Sequence, residues 1–197
     1  SASGSELWKT DGTPAGTGMV KDINPGIDGS FPNQWAAVGS TAFFRASTSA
    51  AGAELWKTDG TEAGTVMVKD IQTGSAASNP GKPMTLGSLV FFTADDGTNG
   101  IEPWITDGTG AGTTMLADIA PGSGSSNSWP LAVIGSRLFF AVDDGTNGNE
   151  LWATDGTPAG TARVKDIQPG TGDGVYPFLR PFAALGSRLF FAGDDGT

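Results

Sequence analysis

The chain has 197 residues, of which 38% are apolar, and its six Trp and eleven Phe predict a packed fold despite 31 Gly. Its net charge of −10 and pI near 4.2 argue against nucleic acid and anionic membranes as partners, because both need basic patches. The sequence contains neither Cys nor His, which excludes thiol nucleophiles, Cys-ligated metals and Ser–His–Asp catalysis. No stretch approaches the roughly 20 apolar residues of a membrane span, so membrane insertion is not expected.

Along the chain, one phrase recurs at a fixed interval. The first residues, SASGS, have no signal-peptide pattern, and we expect residues 1–5 to be a leader. ELWKTDGT then begins at Glu6, returns unchanged at Glu54, and returns with small changes at Glu102 and Glu150, 48 residues later each time. VKDI or LADI follows each phrase, and a Gly-Ser pair follows that, the last pair coming three residues late. The chain therefore contains four copies of one unit.

Each unit predicts four short strands, which are clearest in the copy from Trp129 to Ile167. The segments LAVIG, RLFFAV, ELWAT and ARVKDI are apolar and are separated by runs of Gly, Asn, Asp and Pro. We label them strands A, B, C and D. No window has a helical period that competes with this interpretation. Four-stranded antiparallel units repeated around an axis predict an all-β fold, namely a β-propeller.

The phase of the repeat predicts a single propeller domain over residues 6–197. Strands C and D of a closing blade fall at 6–23, three blades at about 35–71, 83–119 and 131–167, and strands A and B of the closing blade at 182–197. The matching ends favour a four-bladed ring closed within one monomer, which would leave no exposed sheet edge. The alternative is half of an eight-bladed ring, completed in a homodimer.

The phrase E-L-W-x-x-D-G-T, followed by AGT and VKDI, resembles the ELWxxDGT-repeat proteins of bacterial surfaces and secretions. The resemblance covers the chain from Glu6 onward. It implies an extracellular or cell-surface, propeller-like protein and provides no catalytic residues. The third copy departs from the pattern at Pro103, which removes a strand donor and puts the local pairing in doubt.

The residues shared by all copies are predicted to be structural. The Asp of TDGT suits a turn, because its carboxylate accepts from amides two residues on and the Gly supplies a positive φ. The Asp of KDI has the same explanation at the end of strand D. The Leu and Trp of ELW lie on opposite faces of a strand and are expected to pack in the core.

The loops between strands B and C are candidate cation sites. Paired carboxylates and an Asn on the Gly-rich turn DDGTNG suit an oxygen-preferring cation such as calcium. The alternative is an ordinary hairpin turn, and the first copy, STSAAG at 47–52, has no carboxylate. The candidate metal ligands are Asp95, Asp96, Asn99, Asp143, Asp144, Asn147, Asp194 and Asp195.

The connections from strand D to strand A differ most between copies, and in a propeller they emerge on the same face as the B–C loops. Aromatic rings near polar side chains suit a glycan or a peptide. The candidate binding residues are Trp35, Trp129, Tyr176, Phe178 and Arg180. Trp35 and Phe182 are better explained as structural residues that begin strand A and fill the centre of the ring, whereas for Trp129 and Tyr176 both interpretations stay open.

Composition and pattern together predict that the chain is not an enzyme. A glycosidase needs only two carboxylates, but almost every Asp and Glu belongs to the repeat. Glu62, Asp28 and Asp173 are the exceptions, and they form no evident pair. We expect a scaffold or ligand-binding module for a glycan or peptide. The alternative is a purely structural repeat protein or an engineered propeller fragment, and an acidic glycosidase is the least favoured possibility.

Overall fold

The computed structural model describes residues 3–178 and 182–197, and within these ranges every regular element is a β-strand. The strands are β1 (Leu7–Lys9), β2 (Gly18–Lys21), β3 (Asn33–Val38), β4 (Thr41–Thr48), β5 (Gly52–Thr58), β6 (Val66–Lys69), β7 (Gly81–Leu86), β8 (Leu89–Asp95), β9 (Ile101–Thr106), β10 (Thr114–Met115), β11 (Trp129–Ile134), β12 (Arg137–Asp143), β13 (Asn149–Thr154), β14 (Ala162–Lys165), β15 (Ala183–Leu185) and β16 (Arg188–Phe190). The predicted all-β class is therefore confirmed.

The strands form antiparallel sheets in chain order. Three sheets have four strands each, β3–β6, β7–β10 and β11–β14, and each corresponds to strands A to D of one repeat. The sheets β1–β2 and β15–β16 have two strands, which correspond to strands C–D and A–B. Of the strands that the structure describes, β1 pairs only with β2, and β16 pairs only with β15.

Two-residue Gly-Ser turns join strands A and B. Val38 pairs with Thr41 across Gly39 and Ser40, and the glycine has a φ of 57°. This left-handed conformation matches the twist of the flanking strands and is readily adopted by glycine. The Gly-Ser pairs that the sequence marked as turns are thereby confirmed.

Strand A begins earlier than the sequence predicted and contains a bulge. The expected starts were residues 35, 83 and 131, whereas β3, β7 and β11 begin at 33, 81 and 129. The pairing with strand B shifts register between Asn33 and Ala36, and between Gly81 and Met84. An extra residue in one strand disrupts the alternation of apolar and polar side chains. The first residues of strand A therefore could not be recognised from the sequence pattern.

Pro103 shortens strand D of its own sheet. In the other copies the residue at this position pairs with the lysine of strand D, as in Leu55 with Lys69. The strand β10 has only two residues, although Pro103 keeps its pairing with Thr93 on the other side. Because proline has no N–H, the ladder toward β10 loses a donor at this position.

The hydrophobic core lies between successive sheets. One cluster joins Phe43, Leu55, Val68 and Ile71 of β3–β6 to Val90, Phe92, Ala94 and Trp104 of the next sheet. The equivalent residues form the next cluster, between β7–β10 and β11–β14. Each four-stranded sheet therefore has one face against the preceding sheet and one face against the following sheet, as the doubly apolar strands predicted.

The expected core position of the ELW tryptophan holds for some copies only. Trp56 and Trp104 are buried, and Trp152 is half-buried and packs against the core. Trp8 is 60% exposed, so its predicted burial was wrong. The physical reason is that no described sheet covers that face of β1–β2.

Lysines in strand D link neighbouring sheets by hydrogen bonds. The Lys21 Nζ donates to the Thr65 carbonyl at 2.7 Å, and the Lys69 Nζ donates to the Thr113 carbonyl at 2.8 Å. An ammonium that donates to a carbonyl fixes the spacing of the two sheets without requiring an acidic partner.

Candidate functional site

A buried glutamate organises the connection from strand D to strand A in each repeat. The Glu54 carboxylate accepts from the Ile71 N–H at 3.1 Å, the Ser78 N–H at 2.9 Å and the Ser78 hydroxyl at 2.6 Å. Burial raises the pKa of Glu54, while the hydrogen bonds from Ser78 and the backbone act in the opposite direction. The equivalents are Glu6, Glu102 and Glu150, which accept from N–H groups 17 and 24 residues on.

Sequence analysis did not find this role of the glutamate. The signal was present, because a Glu stands directly before the apolar Leu-Trp pair of a buried strand in three of the four copies, with Pro replacing Leu in the third. A carboxylate at such a position requires donors. Its repetition in every copy of the repeat supports a structural role, and it positions the variable connections that follow strand D.

The aspartates of TDGT are turn residues, as predicted. The Asp59 carboxylate accepts from the Thr61 N–H at 2.8 Å and the Thr61 hydroxyl at 2.7 Å, and Gly60 has a φ of 86°. The hydrogen bond from the Thr61 hydroxyl has the largest effect and, together with that from the Thr61 N–H, lowers the pKa of Asp59. Gly64 packs so closely on this carboxylate that a Cβ there would collide with it, which explains the Gly of the AGT segment.

The acidic B–C loops form similar local turns. The Asp96 carboxylate accepts from the Thr98 N–H, the Asn99 N–H and the Asn99 side-chain amide, at 2.7 to 2.9 Å. The loop that follows β12 repeats this pattern around Asp144. Burial acts to raise the pKa of Asp144, but hydrogen bonds from Asn147 and Thr146 outweigh it and lower the value to about 2.

The remaining candidate metal ligands lie in the same turns. Asp95, Asp143 and Asp194 each accept from a glycine N–H two residues on. Asp195 accepts from the Thr197 N–H and hydroxyl. Within residues 3–178 and 182–197, no three acidic, His or Cys side chains form a cluster that could hold a metal ion. Calcium binding stays a prediction that rests on the sequence alone.

The D–A connections and the B–C loops meet at one end of the sheets. Backbone N–H groups at the end of strand B donate to carbonyls in the preceding D–A connection, as in Asp95 to Ser78 at 2.9 Å and Asp143 to Ser126 at 3.0 Å. The variable segments of neighbouring repeats are therefore tied together at this end, where strand A begins.

At this same end, two non-glycine residues adopt a left-handed backbone within the strand A bulges. Gln34 has a φ of 57° and Lys82 has a φ of 51°, and they occupy equivalent positions 48 residues apart. The Lys82 N–H donates to the Gln34 side-chain carbonyl at 3.2 Å. Such conformations cost free energy and often occur where a side chain is redirected for a function.

Two of the candidate binding residues, Trp129 and Phe178, contact each other, and Lys82 contacts Trp129; we call these three residues the aromatic patch. The Lys82 Nζ lies 4.4 Å from the centre of the Trp129 ring, and the Phe178 ring meets Trp129 edge-on at 4.4 Å. The Lys82 Nζ also donates to the Ser128 carbonyl at 3.1 Å. Burial lowers the pKa of Lys82, as expected for an ammonium that is partly removed from water.

Among the described residues, Trp35 and Tyr176 form no aromatic contact with this patch. Trp35 is 51% exposed and stacks on Phe44 at 4.8 Å, so it packs on its own sheet while presenting its outer face to solvent. Tyr176 is half-buried in the connection before β15, and no described aromatic ring stacks on it. Phe182 is half-buried and packs against the last core cluster. Arg180 lies outside the described residues.

The aromatic patch has the chemistry of a binding surface. Phe178 is 69% exposed, and the patch combines apolar rings with one cation and nearby backbone carbonyls. Among the carboxylates outside the repeat, Asp173 is engaged by the Asn149 N–H at 2.7 Å and the Asn149 side chain at 3.1 Å. Sequence analysis missed Lys82, because its neighbours Gly81 and Pro83 gave no sign of a redirected side chain.

No family model and no curated protein matches the chain. Among solved structures, the computationally designed Ika8 protein is similar, with 14% identity and a TM-score of 0.45 over 92% of this chain. The match covers 48% of that protein, so the chain spans about half its length. A likeness of this size supports no conclusion about function.

No helix in the described ranges is long and apolar enough to cross a membrane.

Proposed function

We propose that the sheets are the blades of a β-propeller. The support is their order: strand A of each sheet contacts strand A of the next, from β3 to β7, β7 to β11 and β11 to β15. The inner clusters also use equivalent residues at each step. Equal steps around a common line of inner strands are the geometry of a propeller.

We propose further that this propeller is a non-catalytic module of the ELWxxDGT-repeat type that acts outside the cytoplasm. It binds a glycan or a peptide at the end of the blades that carries the D–A and B–C loops. The resemblance of the repeated phrase supports the location. The aromatic patch is the observation that supports ligand binding, because it is formed only by residues that differ between the repeats.

The chemistry of the patch fits a neutral or weakly polar ligand. Exposed aromatic edges and faces can pack on the apolar side of a sugar ring or on a peptide side chain. The Lys82 ammonium and the carbonyls around it provide a donor and acceptors that orient such a ligand. The chain as a whole is acidic and attracts cations, but the Lys82 ammonium at the patch repels strongly basic ligands. The local charge, and not the net charge, therefore determines what binds there.

Binding can be tested with the full chain on a glycan array and a peptide array, followed by calorimetry on the best ligand. We expect Trp129→Ala and Phe178→Ala to weaken binding about tenfold, which corresponds to the loss of one aromatic contact. The control is Ile27→Ala, because Ile27 is also exposed and lies in another D–A connection. No ligand on either array, or equal affinities for all three variants, would contradict the proposal.

A purely structural role is the second candidate, and one observation favours it. The Lys82 ammonium already lies over one face of the Trp129 ring, so that face is not free to contact a ligand. If the arrays show no ligand and Trp129→Ala lowers the midpoint of thermal unfolding, the patch is a clamp between strands β7 and β11. A panel of chromogenic glycosides tests the less favoured glycosidase in the same preparation.

A further inference from the structure

The two short sheets expose large apolar side chains that the inner repeats bury. Trp8 is 60% exposed and its partner Met19 is 42% exposed on β1–β2, whereas the equivalent Trp104 is 6% exposed. On the other short sheet Phe190 is 51% exposed, although its equivalent Phe91 is fully buried. Exposure of this kind at unpaired strands marks an interaction surface.

Next to β16, the neighbouring sheet has an uncovered apolar position. Val164 is 52% exposed, whereas its equivalent Val68 is buried in a cluster that includes Trp104 of the following sheet. A groove of about 680 Å³ opens at this place. It is lined by Leu151, Val164, Lys165, Ile167, Phe191 and Gly193, with Asp194, Asp195 and Thr197 at its edge.

We propose that this groove binds strand β1 of a second copy of the chain, so that β15–β16 and the partner's β1–β2 form one four-stranded blade. The proposal rests on the propeller arrangement proposed above and adds how the ring is closed. The groove lacks a strand C tryptophan, and Trp8 is exposed on a strand C. Each surface therefore supplies what the other lacks.

The register of the inner sheets predicts the pairing. In β12 and β13, Phe140 pairs with Trp152 and Phe139 pairs with Ala153. By equivalence, Phe191 would pair with Trp8 of the second copy, and Phe190 with its Lys9. The free edges of β16 and β1 then exchange the backbone hydrogen bonds that strands B and C exchange elsewhere.

Lys165 is placed to donate a hydrogen bond to the second copy in the same arrangement. It stands where Lys21 and Lys69 stand in their repeats, and those lysines donate to Thr65 and Thr113 of the next sheet. The threonine in the equivalent position for Lys165 is Thr17 of the second copy. Lys165 is exposed beside the groove, so its ammonium can reach across once the blade is complete.

The end of β16 is already placed as in a complete blade. The Asp194 N–H donates to the Gly174 carbonyl at 3.2 Å, which repeats the link from Asp143 to Ser126. Val175 also forms a bridge with Gly193. The edge is therefore positioned before a partner arrives, which lowers the entropic cost of association.

A second copy is favoured over closure within one chain. In the described part of the chain, β1 and β16 do not pair with each other, and both remain exposed. Propellers commonly have four to eight blades. With four repeats in each chain, a closed ring of two copies has eight blades, and a third copy would exceed this range.

The mass in solution tests the proposal directly. We expect light scattering after size exclusion to give twice the 20.0 kDa mass of the chain. Trp8→Glu and Val164→Glu should each weaken dimerisation about 30-fold or more, as for a central interface residue. Both side chains are exposed in one copy, so the variants should fold, and Ile27→Glu is the control that keeps the dimer. A mass of 20.0 kDa at all concentrations, a larger assembly, or a dimeric Trp8→Glu variant would overturn the proposal.

A cysteine pair tests the register, because the chain has no cysteine of its own. The variant Lys9→Cys/Phe190→Cys should form a disulfide-linked dimer under mild oxidation, since directly opposite strand residues lie within reach. The control Lys9→Cys/Ile27→Cys should remain unlinked. Absence of cross-linking in the first variant would overturn the pairing. Ligand binding by monomeric Trp8→Glu would show that the proposed function stands without the dimer, so the two failures can be distinguished.

Discussion

Glu54 shows how much of the fold depends on a single buried carboxylate. One of its oxygens accepts from the Ser78 N–H, and the other accepts from the Ile71 N–H and the Ser78 hydroxyl. In either orientation, the amide of a Gln would therefore point its NH₂ group at a backbone N–H. The geometry requires an acceptor at both positions, and a carboxylate is the side chain that provides it.

We expect Glu54→Gln to lower the free energy of unfolding by about 1–3 kcal/mol, the cost of a buried donor without a partner. Denaturant unfolding followed by Trp fluorescence measures this change. The matched control is Glu62→Gln, which removes the same charge from an exposed loop residue and should leave the value nearly unchanged. Equal losses in both variants would mean that charge, and not the missing acceptor, controls the effect.

Asp144 predicts an acid dependence of stability. Its pKa in the folded chain is lowered from 3.8 to about 2, because hydrogen bonds from Asn147 and Thr146 outweigh the opposing effect of burial. A carboxyl with a lowered folded pKa stabilises the fold above its unfolded pKa and loses that contribution as the pH falls through the folded value. The contribution of Asp144 is therefore complete at neutral pH and fades between 3.8 and about 2.

The measurement compares the chain with Asp144→Asn by denaturant unfolding at a series of pH values. We expect the difference in unfolding free energy to be constant from neutral pH down to about pH 5, and to shrink below pH 4. Asp28→Asn is a control at an exposed acidic residue outside the turn. A difference that stays constant down to pH 2 would show that Asp144 does not titrate as the turn requires.

At the scale of elements, the sequence predicted regular features better than their starting points. Strand order, the Gly-Ser turns and the TDGT turns followed from local chemistry, because each depends on residues close together in the chain. The bulges at Gln34 and Lys82 depend on a neighbouring strand and on the preceding connection. For this reason the sequence showed aromatic candidates such as Trp129 and Phe178, but not the lysine that the bulge directs onto the Trp129 ring.

The acidic B–C loops yield the next prediction. If DDGTNG binds calcium, millimolar calcium should raise the midpoint of thermal unfolding relative to chelator, and magnesium at the same ionic strength should not. The double variant Asp96→Asn/Asp144→Asn is the control and should lose the calcium response. Equal midpoints in calcium and chelator would leave these aspartates as turn residues, consistent with the N–H groups that already occupy their oxygens.

At the scale of the whole molecule, the repeat predicted how the strands group into sheets. It did not predict whether the two end sheets pair within one chain or between chains. The 48-residue interval and the phase of strands A to D predicted four-stranded sheets with two strands at either end, and these are present. Strands C and D at one end of the chain complement strands A and B at the other, and this holds whether the two ends pair within one chain or between two chains. The difference depends on the angle between successive sheets, which is set by packing at positions such as Phe43 and Trp104 and has no local sequence signal.

The charge of the molecule predicts that added salt stabilises it. The net charge is −10, and the ion pairs in the described part of the chain all involve Arg163, with Asp144 at 3.8 Å and Asp166 at 3.6 Å. Repulsion between surface carboxylates is therefore only weakly offset, and salt screens it. We expect sodium chloride to raise the midpoint of thermal unfolding by about 2–4 °C, which corresponds to about 1 kcal/mol for a chain of this size.

The control for this effect is the double variant Asp28→Lys/Glu62→Lys, which moves the net charge toward zero at two exposed loop positions. Its midpoint should start higher and respond less to salt, if repulsion is the cause. Protein concentration is held constant, because association also raises the midpoint by mass action. An equal response in both proteins would assign the effect to hydrophobic packing that salt strengthens. The acidic surface would then have no part in limiting stability.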